Sequence, residues 1–273
     1  MEEVTEQKKG ISIIGAFGLA ALTILLEFIL SIPLGIISLI VSNIGLSEIN
    51  EYLYTIGDIF INILIVFFFI KRIRKKESFN LKLKYKPNIR EYIYALLFLL
   101  AYLLIFSNSV GILIEKIEVS QWLIEAFDDI LINPIVAFIS LCIIAPVFEE
   151  IIYRGIILEQ LSKRYSSFLG IIVSGLIFGL IHANIHQGVN AFFIGLIIGF
   201  IYIKTDSLIL CMFWHFANNF LVFIASMNTA EAAGNTVPGF SVLQLIFGII
   251  IFIISYKFFN RRDDERELGE CTI

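Results

Sequence analysis

The chain has 273 residues, 58% of them hydrophobic and only 16% charged, with a net charge of −4 and a mean hydropathy of +0.89. A soluble domain carries roughly 25% charged residues, so this composition excludes an ordinary soluble fold and points to a polytopic membrane protein. The basic residues are spread over polar segments and no basic helix alternates with aromatics, which excludes a nucleic-acid binder.

The polar start, residues 1–10, leads into an apolar run far too long for a signal-peptide core, so no cleavable signal is expected. About 20 apolar residues cross the hydrocarbon of a bilayer. Eight runs qualify in chain order: 11–42, 54–70, 92–114, 133–159, 168–186, 188–203, 207–227 and 238–259. The first is overlong and holds Glu27 and Pro33, which predicts tilt or a kink. Glu27 stands alone and is expected to bond to backbone or water. Residues 77–91 form a polar linker. Residues 115–130, EKIEVSQWLIEAFDDI, set apolar positions among acids at roughly helical spacing and read as an amphipathic helix at the outer interface. Residues 228–237 form an outside loop, and the polar tail is a solvated end.

The fold class expected is an all-α polytopic membrane protein of about eight transmembrane helices, with seven to nine compatible with the pattern. With the N-terminus inside, eighteen of the twenty Lys and Arg residues fall on the inner side; Lys116 falls outside and Arg154 within a span. The excess of basic residues in cytoplasmic segments then puts both termini in the cytoplasm. The chain reads as one integral membrane domain in three parts. These are N-terminal helices, linker and amphipathic helix (1–130), a core (131–227), and a last span with its tail (228–273). Cys142, Cys211 and Cys271 are an odd, scattered set, not a disulfide framework. Cys271 is third from the end, where a prenylation box needs it fourth.

Charges inside spans are costly and mark functional-site candidates. The fourth span carries Glu149, Glu150 and Arg154; the fifth carries His182, Asn184 and His186; the seventh carries His215, Asn218 and Asn219. The sixth carries Gly195 and Gly199, four apart, a small-residue pattern that lets a neighbouring helix approach closely. Counted from the cytoplasmic boundary at about 1.5 Å per residue, Glu149, His182 and His215 lie roughly 21, 24 and 15 Å deep, so the three can meet within the bundle. Pro146 is expected to kink the fourth span. Glu150 and Arg154, at i and i+4, pair on one face and read as a structural ion pair. His182 and His186 would share one helical face, as would His215 and Asn219. A glutamate in such a pocket can act as general base on water, histidines can bind zinc or shuttle protons, and an Asn amide can donate to an oxyanion. The plainer reading of His186 is an interface-facing side chain, and of Asn218 a helix–helix contact.

These residues carry a resemblance. EEIIYR (149–154) is an EExxxR motif, FGLIH (178–182) is FxxxH, and HFANN (215–219) contains HxxxN. Their order and spacing resemble the CPBP family, the type II CAAX prenyl endopeptidases and bacteriocin-processing (Abi) proteins. Residues 192–219 also look like that family's glycine-rich helix followed by its third motif, and the resemblance covers about 135 to 225. It implies an intramembrane endopeptidase in which Glu149 activates water. His182 and His215 would bind a metal (Zn2+) or orient the water, Asn219 would stabilise the oxyanion, and Glu150 and Arg154 would position these groups. Both a metalloprotease and a metal-free glutamate mechanism have been argued for the family. The expected partners are a peptide or membrane-protein substrate and the lipid bilayer of a bacterial plasma membrane, with no nucleic acid; the oligomeric state stays open. The alternative function is a non-catalytic membrane immunity or scaffold protein that protects against a bacteriocin. A small proton-relaying transporter is a third reading, disfavoured because matching halves show no pair of broken helices.

Overall fold

The computed structural model describes residues 10–75, 79–229 and 239–270. The polar N-terminus through Lys9, the start of the 77–91 linker, most of the 228–237 loop and Cys271 lie outside the described residues. Every described element is helical, as the composition requires. In chain order they are α1 (Ile13–Asn43), α2 (Ser47–Arg74), α3 (Ile89–Ser107), the short α4 (Val110–Ile114), α5 (Gln121–Leu131), α6 (Pro134–Arg164), α7 (Ser167–Leu180), α8 (Ile185–Thr205), α9 (Leu208–Thr229) and α10 (Val242–Glu270).

Seven of these are long and apolar enough to cross a membrane: α1, α2, α3, α6, α8, α9 and α10. The chain is a multi-pass membrane protein. The fifth expected span, 168–186, shortens to the 14-residue α7. At about 1.5 Å per residue that is roughly 21 Å, short of the ~30 Å hydrocarbon core. The amphipathic segment is also shorter than expected: only Gln121–Leu131 is helical, with Trp122 and Ile124 exposed.

The described chain groups into two compact units, each drawn from several stretches. The first unit comprises Met1–Leu81, Val147–Ala183 and Gly188–Gly199. Here α1 and α2 form a hairpin around Gly45, whose φ of +84° suits a glycine. Asn50 ties the hairpin tip by donating to the Ser38 and Ser42 hydroxyls at 2.8 and 2.9 Å. Lower down, Leu34 packs where a side chain at Gly57 would sit. Leu26, Leu30 and Leu34, one turn apart on α1, pack against a core of Ile61, Ile65, Phe69, Phe79 and Ile156. In the same unit α7 and α8 approach backbone to backbone. A Cβ on Gly195 would lie 2.8 Å from Gly175 Cα, and one on Gly179 would lie 2.7 Å from Gly188 O. The close approach expected of Gly195 is present, with Gly175 as its partner.

The second unit comprises Lys82–Pro146, Asn184–Gln187 and Phe200–Ile273. Its axis is the antiparallel pair α3 and α10. Phe98 meets Phe252 edge-on at 4.8 Å, and Gly248 lets α10 close on the Ala101 carbonyl. At one end of the pair Asn108 donates to Gln244 Oε1 at 3.1 Å and accepts from Ser241 N at 2.7 Å. The linker is tethered, not loose: Lys82 pairs with Asp206 at 2.5 Å, and its carbonyl accepts from Leu208 N.

Candidate active site

The acidic motif stands on α6, whose helix is not uniform. Phe138–Ile144 and Ile151–Leu158 are π-helical, and Ala145–Glu150 between them is α-helical. Pro146 supplies the physical reason for the first change. It has no N–H to donate, and Ala145 N reaches back five residues, to Ser140 O. Glu149 and Glu150 close the α-helical interlude. Glu150 is fully buried and its Oε1 accepts from Arg154 Nη1 at 2.7 Å, the i,i+4 pair read from sequence. Arg154 is fully buried too, and its guanidinium lies 4.5 Å from the centre of the Phe178 ring. Glu149, one position round the helix, is half-buried.

Phe178 links this pair to the second motif. Its ring stands edge-on to His182 at 5.1 Å. Its carbonyl lies 2.8 Å from His182 Nδ1. A carbonyl only accepts, so Nδ1 carries a proton and the bond fixes the orientation of the ring. Spacing alone gives Phe178 no role; the structure makes it the contact between Arg154 and His182. The expectation that His182 and His186 share a helical face is corrected. α7 ends at Leu180, Ala183 turns the chain with a left-handed φ of +55°, and Asn184 caps α8 by accepting from Gln187 N at 2.8 Å. His186 therefore belongs to a different helix. The signal was present, because Asn184 and Gln187 have capping-box spacing.

In the second unit His215 and Asn219 lie one turn apart on α9. His215 is buried, and Asn218 donates to Asn219 Oδ1 at 3.1 Å. Asn219 Nδ2 donates to Leu141 O at 2.9 Å. That carbonyl needs a side-chain donor: Ala145 N goes to Ser140 O instead, and residue 146, next in π-helical register, is proline. Asn219 thus satisfies the acceptor that Pro146 leaves over. Phe138, on the same turn of α6, packs against Phe216, Phe220 and Phe223.

Glu149, Glu150, Arg154 and His182 are thus residues of the first unit, and His186, His215 and Asn219 of the second. Glu27, expected to be isolated, lies within the electrostatic field of Asp58 on α2 and of Glu149. Asp58 escapes the sequence reading although an acid at the start of an apolar run is itself a signal. It is held by Asn62, whose Nδ2 donates to its Oδ2 at 3.2 Å. Zinc takes three or four protein ligands. Among the described residues no group of three His, Cys, Asp or Glu is placed to hold a metal ion.

A spanning helix carries Glu-Glu and a buried arginine, and two histidine-bearing helices follow it in the chain. Residues 131–221, a third of the chain, match the family model described as type II CAAX prenyl endopeptidase Rce1-like. The chain is also similar to the "Putative membrane peptidase YdiL" of Bacillus subtilis (strain 168), with 30% identity over 116 residues. The match spans 42% of this chain and 46% of that relative, about half its length. No solved structure matches.

Proposed function

We propose that the chain is an intramembrane endopeptidase of a bacterial cell membrane that hydrolyses a peptide bond in a membrane-associated peptide or protein. The observation that carries this reading is the placement of Glu149. It stands half-buried on the turn that the buried Glu150–Arg154 pair fixes, inside the segment that matches the family model. In the proposed reaction Glu149 takes a proton from water as the water oxygen bonds to the scissile carbonyl carbon. The resulting oxyanion accepts a hydrogen bond, and Asn219 has a second amide hydrogen besides the one on Leu141 O. The proton then passes to the leaving amine nitrogen as the C–N bond breaks. His182, its ring held by the bond to Phe178 O, orients the water. His215 and Asn219 are assigned to the same reaction on the family resemblance alone. Glu150 and Arg154 are positioning residues. In the metal-free route Glu149 alone activates the water; in the other route His182 and His215 would hold Zn2+. The Lys and Arg distribution supports cytoplasmic termini.

The test compares the N-termini of membrane and secreted peptides between strains carrying the native chain and Glu149→Gln at equal expression. N-termini present only with the native chain support proteolysis and identify the substrate. Identical sets, with the deletion phenotype still rescued by Glu149→Gln, would refute it and favour the immunity or scaffold reading.

A further inference from the structure

We infer that the second unit contains a binding site for the phosphate of an anionic phospholipid, between the start of α3 and the end of the spanning part of α10. A cavity of about 470 Å³ lies there, with Arg90, Lys257 and Arg261 on its walls. Lys257 and Arg261 are one turn apart on α10, and Arg90 stands in the first turn of α3. None of the three pairs with a carboxylate among the described residues. The acid next to Arg90, Glu91, is committed elsewhere: its Oε2 accepts from Tyr85 Oη at 2.7 Å and Asn88 N at 2.8 Å. Three cations gathered around one cavity repel one another, and the positive end of α3 adds to the field. An anion in the cavity relieves this.

The floor says which anion. Tyr94 and Phe258 stack there at 3.8 Å with an interplanar angle of 8°, and Ile254 continues the apolar surface along α10. The apolar stretches long enough to span a membrane, Ile89–Ser107 and Val242–Arg261, begin and end beside this cavity. A cationic rim over an apolar floor at the membrane boundary fits a phosphodiester with the start of its acyl chains, and the volume lies within the usual range for ligand sites. Basic pockets between spanning helices bind lipid head groups by this chemistry. A free phosphate would use the rim and leave the floor bare.

The experiment is native mass spectrometry of the full chain in detergent, titrated with phosphatidylglycerol or phosphatidylcholine. Retention of phosphatidylglycerol over phosphatidylcholine is expected. In Arg90→Gln/Lys257→Gln/Arg261→Gln that preference should fall on the order of 100-fold, at about 1 kcal/mol per basic residue. Lys75→Gln/Lys84→Gln/Lys86→Gln removes the same charge from exposed positions outside the cavity and should leave the preference intact. Equal losses in the two triple variants would overturn the site. Displacement of the lipid by millimolar inorganic phosphate would overturn the lipid assignment in favour of a free anion. If the pocket variant does not fold, Lys257→Gln alone should lower the preference roughly fivefold, and an unchanged preference would overturn the proposal.

Discussion

The bond from Asn219 to Leu141 O gives the sharpest test of the local physics. The carbonyl has lost its α-helical donor to Ser140 O, and proline occupies the next position able to serve it. Replacing Asn219 with Leu keeps the number and branching of the side-chain heavy atoms and leaves Leu141 O without a donor inside a spanning helix. An orphaned buried acceptor costs about 1–3 kcal/mol. Interhelical hydrogen bonds in membrane proteins average about 0.6 and reach about 1.7 kcal/mol. An expected loss of about 1–2.5 kcal/mol follows. Pro146→Ala restores an N–H five residues beyond Leu141, in register with the π-helical stretch. In that background Asn219→Leu should cost about 1 kcal/mol less. The assay is reversible unfolding of the four proteins in mixed micelles, followed by circular dichroism. Additivity within about 0.3–0.5 kcal/mol would refute the claim that Asn219 compensates for Pro146.

Arg154→Met leaves Glu150 charged and fully buried and should cost about 3–5 kcal/mol, whereas Glu150→Gln/Arg154→Met should recover most of it; micelle unfolding of each variant decides. Gly195→Val puts a branched side chain where Gly175 Cα stands 2.8 Å from the Cβ position. It should destabilise the protein by more than Gly18→Val, which meets nothing within 4 Å, and equal melting temperatures would contradict the close α7–α8 contact. Ala183→Gly relieves a left-handed backbone and should stabilise by about 1 kcal/mol; a lower melting temperature would show that the Ala183 methyl contributes more than the strain costs. Under the metal-free reading, dialysis against 1,10-phenanthroline leaves proteolysis by the purified protein unchanged, and its loss with recovery on adding Zn2+ would require a metal.

The helical class and seven of the eight spans are legible because apolar runs of about 20 residues have few alternatives. The Glu150–Arg154 pair was legible because i,i+4 neighbours face each other whatever surrounds them. The end of α7 was not, because hydropathy runs on through Ile181 and Ile185 while the break rests on one backbone angle at Ala183 and the cap at Asn184. The Asn219–Leu141 bond was out of reach for a different reason. It joins residues 78 apart and depends on a carbonyl freed by π-helical register, which no side-chain pattern encodes. Asp58 was overlooked beside more conspicuous charges, although its place next to Glu27 needs the α1–α2 hairpin to be known.

The widened turns of α6 also bear on how its relatives should be aligned. A π-helical turn is wider than an α-helical one, and a residue added or removed without being absorbed in such a turn rotates everything downstream by about 100°. A one-residue gap between Pro134 and Phe148 would leave every motif letter in place yet aim Glu149 at a different neighbour. Chain length upstream of the motif is therefore as much a determinant of the site as the identity of residue 149, and a relative that keeps EExxxR but changes that length should not be assumed to share its chemistry.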